Sequence, residues 1–366
     1  MGDPWHWLEE RRADVAARGL GRRLRATPSG LVDLASNDYL GLSRHPSVVA
    51  AAASAAALYG AGSTGSRLVT GTHELHLSLE QALSDRLGGH ALVLSSGYLA
   101  NLAAVSALTD ADTLVVSDRR NHASLIDACR LSRASVRVTD SIAEVAAALD
   151  SWPGRAVVVT DAVFSTDGSL APLADLHTLV RRHGALLLVD EAHAIGALGP
   201  SGEGACFLAG IADELDVVRT ITLSKSLASQ GGAILGTAAL REHLIDTARP
   251  FMFDTALAPP SVGAALAALS LMTPDRVAAL TAVGTQVSSL LDVDATPGPI
   301  VCVPVPDPRR AVAAQQRCLD EGVLVGCFRP PSVPVDGSCL RLTARADLAP
   351  ESVEQAVAVV RAAVST

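Results

Sequence analysis

Six short, largely apolar runs, each closed by polar turn residues, constrain this chain more than any other feature. They are ALVL (91–94), TLVV (113–116), SVRV (135–138), AVVVT (156–160), ALLLVD (185–190) and DVVRTITL (216–223). Runs without polar alternation suit strands buried on both faces of a parallel sheet. Helical patterns fill the intervals, at 97–108, 122–131, 141–150 and 174–183. Strand–helix alternation of this kind predicts an α/β fold with a mostly parallel, doubly wound sheet.

Beyond about residue 255 the pattern changes. An Ala/Leu helix (260–272) leads to IVCVPV (300–305), a helix (308–320), VLVGCF (323–328), a Pro-rich turn, CLRLT (339–343) and a last helix. This predicts a smaller α+β unit over 256–366, after a large unit over 46–255. The first 45 residues hold one helix and then LVDLASNDYLGL, and are expected to pack with the small unit.

Net charge of −9 excludes a global basic field for nucleic acid, and the arginines are scattered. The start, MGDPWHWLEERR, lacks the basic-then-apolar order of a secretory signal. The longest uncharged runs are poor membrane spans, being Ala/Gly/Ser-rich or broken by Pro259-Pro260. Six cysteines without a C-x-x-C pair or a histidine cluster at metal spacing read as small buried residues of a reducing cytoplasm, with no metal.

Composition matters most through one residue. The 29 cations are 28 arginines and a single lysine, Lys225, in TLSKSLASQGG directly after a strand. Arginine cannot lose its proton in a protein, so it cannot be a nucleophilic amine; lysine can. Codon bias accounts for the arginines, and it makes the surviving lysine informative.

ALLLVDEAHAIG ends its strand on Asp190, followed by Glu191 and His193. Ligands of open α/β sheets bind at the carboxyl ends of strands. An acid there, ahead of a lysine able to bond a carbonyl carbon, suits a pyridoxal 5′-phosphate (PLP) site. The carboxylate would keep the pyridine nitrogen protonated, and His193 would meet the ring oxygen. In ALVLSSGYLAN a helix opens after a strand, so Ser96, Gly97 and Tyr98 offer phosphate donors. His122, in NHASLIDA, is placed to stack on a flat ring, and Ser165 and Thr222 complete the polar groups at strand ends. Gly60–Gly65 matches G-x-G-x-x-G, but an Ala-rich helix precedes it instead of a strand, so the dinucleotide reading fails.

Taken together, LASNDYLGLSRHP, GSTGSRLVTGTHELHLSLE, SSGYLANLAAV, HASLIDA, VFSTDGSLAPL, LLLVDEAH, TLSKSLASQGG, FDTALAP and CFRPPSVPVDGSCLRLT resemble, in order and spacing, the PLP-dependent α-oxoamine synthases of fold type I. The resemblance runs from about residue 30 to the end, and within the family it is closest to the biotin-pathway members. It implies that Lys225 bonds the cofactor and then serves as base at Cα, that Asp190 pairs the ring nitrogen, that His193 contacts the ring oxygen and that His122 stacks on the ring. It places Gly97, Tyr98, Ser165 and Thr222 around the cofactor and its phosphate, and Thr255 on the phosphate in a neighbouring subunit, hence a homodimer with shared sites. It implies Arg341 for the amino-acid carboxylate, and Ser332 and Arg22 for the acyl substrate, with Arg23 and Arg25 competing for the latter role. The implied substrates are L-alanine and pimeloyl-CoA or pimeloyl-acyl carrier protein. The sister reaction, glycine with acetyl-CoA as in glycine C-acetyltransferase, stays open as the runner-up.

Two positions depart from the family pattern. Alanine stands at 194 and 228, where the family favours glycine. If either takes a positive φ, its Cβ strains the backbone by about 1 kcal/mol.

Overall fold

The computed structural model describes residues 3–365, so the expected terminal units, 1–45 and 256–366, begin and end on residues outside the description. After the helix His6–Ala17 comes strand β1 (Val32–Leu34). Seven strands follow: β2 (His90–Leu94), β3 (Leu114–Asp118), β4 (Ser135–Thr139), β5 (Ala156–Asp161), β6 (Leu186–Asp190), β7 (Val217–Thr222) and β8 (Gly232–Gly236). They form one sheet in the order β2-β8-β7-β6-β5-β3-β4. Strand β8 runs antiparallel to both neighbours, and the remaining pairs are parallel.

The apolar runs are continuous because both faces of this sheet are covered. Val115, Val157, Val159, Leu188 and Val218 pack into one core. Their chain neighbours Val116, Val158, Leu187, Val189 and Val217 pack into another on the opposite face. Each such side chain contributes roughly 1.5–3 kcal/mol relative to exposure, so polar alternation would be costly in β3, β5, β6 and β7. The edge strand β4 departs from this. SVRV is expected to be buried on both faces, yet Val136 is 41% and Val138 51% exposed, because β4 pairs with β3 alone. Strand β8 escapes the sequence pattern: it opens on the Gly231-Gly232 pair, which reads as a ligand loop.

A second sheet, in the order β1-β10-β11-β9, is built from β9 (Ile300–Pro304), β10 (Val323–Phe328), β11 (Cys339–Thr343) and β1. Strand β1 pairs parallel to β10, which ties the segment before Asn37 to the C-terminal strands. The last helix, Pro350–Ser365, and the helix Pro308–Asp320 pack on this sheet through Val353, Val357, Val360, Ala311 and Ala314.

Gly60–Gly65 lies in the turn between helices Pro46–Tyr59 and Glu74–Leu87, so no strand precedes the glycine motif. No single helix among the described residues is long and apolar enough to cross a membrane. Pro259–Ser270 and Pro274–Leu291 reach that length only as a pair bent by 87°.

Candidate active site

The carboxyl ends of β5, β6 and β7 stand side by side, and the loops leaving them enclose a cavity of about 260 Å³. Asp161, Asp190, His193, Thr222 and Lys225 line it, with Gly97 and Tyr98 facing them from the helix after β2 and His122 from the loop after β3.

Lys225 follows β7 by three residues, so the strand end fixes where its stem starts. Burial brings its ammonium down to about 8, against the opposing pull of Asp190. A neutral amine is therefore accessible near physiological pH, as nucleophilic chemistry requires. The next turn carries Ala228 at φ +49°, in the left-handed region; Ala194 is not among the positive-φ residues. Of the two departures from the family pattern, only Ala228 strains the chain.

Asp190, the last residue of β6, is buried and doubly held. The Ala192 N–H donates to Oδ1 at 2.9 Å, and the Asn101 amide donates to Oδ2 at 2.7 Å. Both donors favour the carboxylate. Glu191 turns the other way, toward the fully buried Arg219 at 3.5 Å. Nδ1 of His193 lies 2.6 Å from the hydroxyl of Tyr39, which is itself fully buried. Burial first, then the Lys225 charge, push His193 well below its ordinary value, so its imidazole is neutral.

His122 caps the helix Ala123–Leu131, its Nδ1 accepting the Ser124 N–H at 3.2 Å, with the Ser124 hydroxyl 2.7 Å away. The Asn101 amide also donates to that hydroxyl at 2.8 Å. With Nδ1 engaged as acceptor, the neutral ring carries its proton on Nε2, which is left for the cavity. Burial lowers the His122 pKa, opposed by Asp190.

At the other end of the cavity, Ser96 caps the helix Gly97–Leu108, accepting the Leu99 N–H at 3.1 Å. A Cβ on Gly97 would sit 3.1 Å from the Cβ of Thr222, so the helix start can approach β7 this closely only as glycine. The tight corner brings helix N–H groups and the Thr222 and Ser224 hydroxyls together, a donor set suited to a phosphate, whereas the Tyr98 phenol, expected as a further donor, gives its proton to the Asp127 carboxylate. The carboxylate at one end, the donor cluster at the other and the depressed lysine between them fit PLP.

Other expected residues lie outside this lining. The carbonyl of Ser165 accepts from Arg341 at 2.9 Å, so Ser165 meets the arginine and does not line the cavity. Arg341 is buried, holds Asn37 at 2.9 Å and lies 4.4 Å over the Phe328 ring. Among the described residues it makes no ion pair, and its buried Nε–H has no acceptor. Thr255 is exposed, and its N–H donates to its neighbour Asp254. Arg22 donates to the Pro330 carbonyl at 3.4 Å, and with Arg23 and Ser332 it borders a separate open cleft of about 410 Å³. Arg25 is turned to Gln316 instead, at 2.5 Å.

Sequence reasoning missed Tyr39, Asn101, Ser124 and Asp161. Asp161 had a signal: AVVVTD ends on an acid just as ALLLVD does. Tyr39 and Asn101 show only in three dimensions, because each acts through a neighbour remote in sequence, and Ser124 gains its place from the same Asn101 as well as from His122.

Comparison with known proteins gives the same picture. The profile of aminotransferase class I and II matches residues 29–360. An 8-amino-7-oxononanoate synthase of Mycobacterium sp. (strain JLS) is 54% identical over 362 residues, covering 96% of this chain and 95% of that protein. Among solved structures, Sphingomonas wittichii serine palmitoyltransferase superposes with a TM-score of 0.90 at 30% identity, covering 99% of this chain and 98% of that one. An 8-amino-7-oxononanoate synthase from Francisella tularensis superposes with a TM-score of 0.78 at 27% identity, over 92% of this chain and 99% of that one.

Proposed function

The chain belongs to the class I and II aminotransferase family, as a PLP-dependent α-oxoamine synthase of the 8-amino-7-oxononanoate synthase type, and from that premise we propose that it condenses L-alanine with a pimeloyl thioester of CoA or acyl carrier protein. A C–C bond forms between the alanine Cα and the thioester carbonyl carbon. The C–S bond breaks and releases the thiol. The alanine carboxyl leaves as CO2, and a proton returns to Cα.

Bound PLP supplies the electron sink that stabilises negative charge at Cα. The protein supplies the rest. Asp190, fixed by Ala192 and Asn101, holds the ring-nitrogen end. His193, fixed by Tyr39, meets the ring oxygen. Lys225 would hold the cofactor through its amine and, when free and neutral, would take the Cα proton. His122 presents Nε2–H toward the thioester carbonyl oxygen, where charge develops.

The observation that carries the substrate reading is Arg341. A buried guanidinium without an acid partner, one N–H unsatisfied, beside the Lys225 cavity, is the donor set an amino-acid carboxylate would complete. The cleft at Arg22, Arg23 and Ser332 suits an anionic acyl donor, and it adjoins a larger groove walled by Arg11, Arg12, Arg309 and Arg329. A homodimer is part of the proposal. Leu58, Leu68, Val69 (79% exposed) and Leu77, in the segments on either side of Ser66, and Phe253 (67%), two residues before Thr255, are exposed apolar side chains. The Ser66–Thr255 bridge and the Tyr59–His73 ring contact draw these segments together, and a second copy would cover them.

The test crosses alanine and glycine with pimeloyl-CoA, pimeloyl-acyl carrier protein and acetyl-CoA, following thiol release and product mass. Alanine with a pimeloyl thioester should give the amino ketone. Turnover of glycine and acetyl-CoA alone would overturn the assignment.

A further inference from the structure

Two carboxylates, not one, end on the cavity. Asp161 and Asp190 are the last residues of adjacent parallel strands and are register partners, so their side chains leave the sheet on the same face. Both are buried. Like charges on adjacent strand ends in a low-dielectric site repel, which favours keeping a proton on one of them.

Their surroundings decide which member carries it. Asp190 has a donor on each oxygen. Asp161 has one donor in all, the His122 N–H, 3.1 Å from Oδ2. Its Oδ1 is buried and unpartnered among the described residues. Among the described residues, no arginine or lysine is ion-paired to it. An ionised oxygen with no donor is penalised heavily in such a place, and protonation of that oxygen removes the charge.

We propose that Asp161 is the neutral acid of this pair and a positioning residue: its proton sits on Oδ1, its Oδ2 holds the backbone of His122, and its neutrality leaves Asp190 as the single charge facing the ring nitrogen. Burial first, and then the Asp190 charge, push the Asp161 carboxyl well above the usual carboxylate range, in the same direction as the geometry. The other charged groups around it are Lys225, which opposes that shift, and Asp118 at the end of β3, which adds to it. The anchor on His122 gives the acid a second task, since that backbone sets where the imidazole stands. The inference rests on the proposed PLP site but not on the identity of the acyl donor.

Asparagine reproduces the neutral acid: a carbonyl for His122 N–H and an N–H in place of the Oδ1 proton. In the PLP-loaded enzyme, Asp161→Asn should therefore keep kcat within about threefold and leave the pH midpoint of the cofactor absorption band unmoved. Asp161→Ala, which lacks both groups, should lower kcat by about tenfold or more. Infrared spectra of the cofactor-free protein give a readout independent of turnover: wild type should show a protonated-carboxyl C=O stretch at neutral pH that is missing in Asp161→Asn. If Asp161 is ionised, that band is absent from wild type, and Asp161→Asn removes a charge that favours protonated Lys225, moving the midpoint down. Either result overturns the proposal. Failure of the substrate assignment would leave all the spectroscopic outcomes unchanged.

Discussion

The cavity around Lys225 and the cleft around Arg22 are built by opposite means. In the cavity, side chains sit on or just beyond strand ends, are largely buried, and are held by partners that are themselves held: Asp190 by Asn101, Asn101 by Thr220 at 2.6 Å, and His193 by Tyr39. In the cleft, exposed arginines ride on a segment without regular structure, and Arg22 touches only a carbonyl at 3.4 Å. Chemistry that moves a proton between fixed atoms needs the first kind of construction. Capture of a long, flexible, charged acyl donor tolerates the second.

The largest effect should come from breaking the buried side. Lys225→Arg keeps a cation but cannot shed its proton or bond the cofactor, so kcat should fall by at least about 10³-fold. Borohydride reduction of the PLP-loaded wild type should label one peptide, the one containing Lys225; label on another peptide would contradict the site. Burial of this lysine also has a signature in stability. Its value of about 8 lies below the ordinary 10.5, so between those limits the unfolded chain binds more protons than the native one. The Lys225 contribution to stability then rises with pH across that window, because the cost of burying its charge is felt in full below pH 8 and fades above it. Lys225→Met should stabilise the cofactor-free protein at pH 7 by about 1–3 kcal/mol, and the gain should shrink toward pH 10.5. The buried thiols of Cys129, Cys206 and Cys318, pushed up by burial, act with the opposite sign in the same range, so urea titrations of Lys225→Met against wild type at several pH values isolate the lysine.

The cleft should respond more weakly and in a different parameter. Arg22→Gln with Arg23→Gln removes two exposed cations, each contributing roughly 0.5–1 kcal/mol, so the KM for the pimeloyl thioester should rise about tenfold. kcat and the KM for alanine should hold. The effect should fade at high salt, where exposed charges are screened. A fall in kcat of similar size would show that the cleft takes part in the chemistry and would erase the contrast.

The same contrast governs what the sequence discloses. Lys225, Asp190 and His193 are legible because each stands at the end of a recognisable apolar strand, and parallel topology sends such ends to one place. Strands β5, β6 and β7 are legible for the same reason: covered on both faces, they tolerate no polar alternation. Strand β8 is not, because its first residue is a glycine, Gly232, that lets the chain pass close to Gly97. Tyr39 and Asn101 could not be read from their own segments, since their partners lie 154 and 89 residues away. Nor could Arg22 be chosen over Arg23 and Arg25, because no element end fixes that segment.

The smallest effect tests whether the buried side carries strain that the cleft lacks. Ala228, three residues after Lys225, sits at φ +49°, where a Cβ costs roughly 1–2 kcal/mol and glycine pays nothing. Glycine gains unfolded-state entropy in return, about 0.5–1 kcal/mol. Ala228→Gly should therefore stabilise the protein by only about 0.5–1 kcal/mol, a Tm rise of roughly 1–3 °C. Ala194→Gly is the control. That residue is fully buried and has no positive φ, so glycine there opens a gap, relieves nothing, and should lower Tm. Opposite signs at the two sites would locate the strain in the turn that carries the lysine. Equal signs would mean that the alanine at 228 is accommodated without cost, and that the turn after Lys225 is no more demanding than the open cleft.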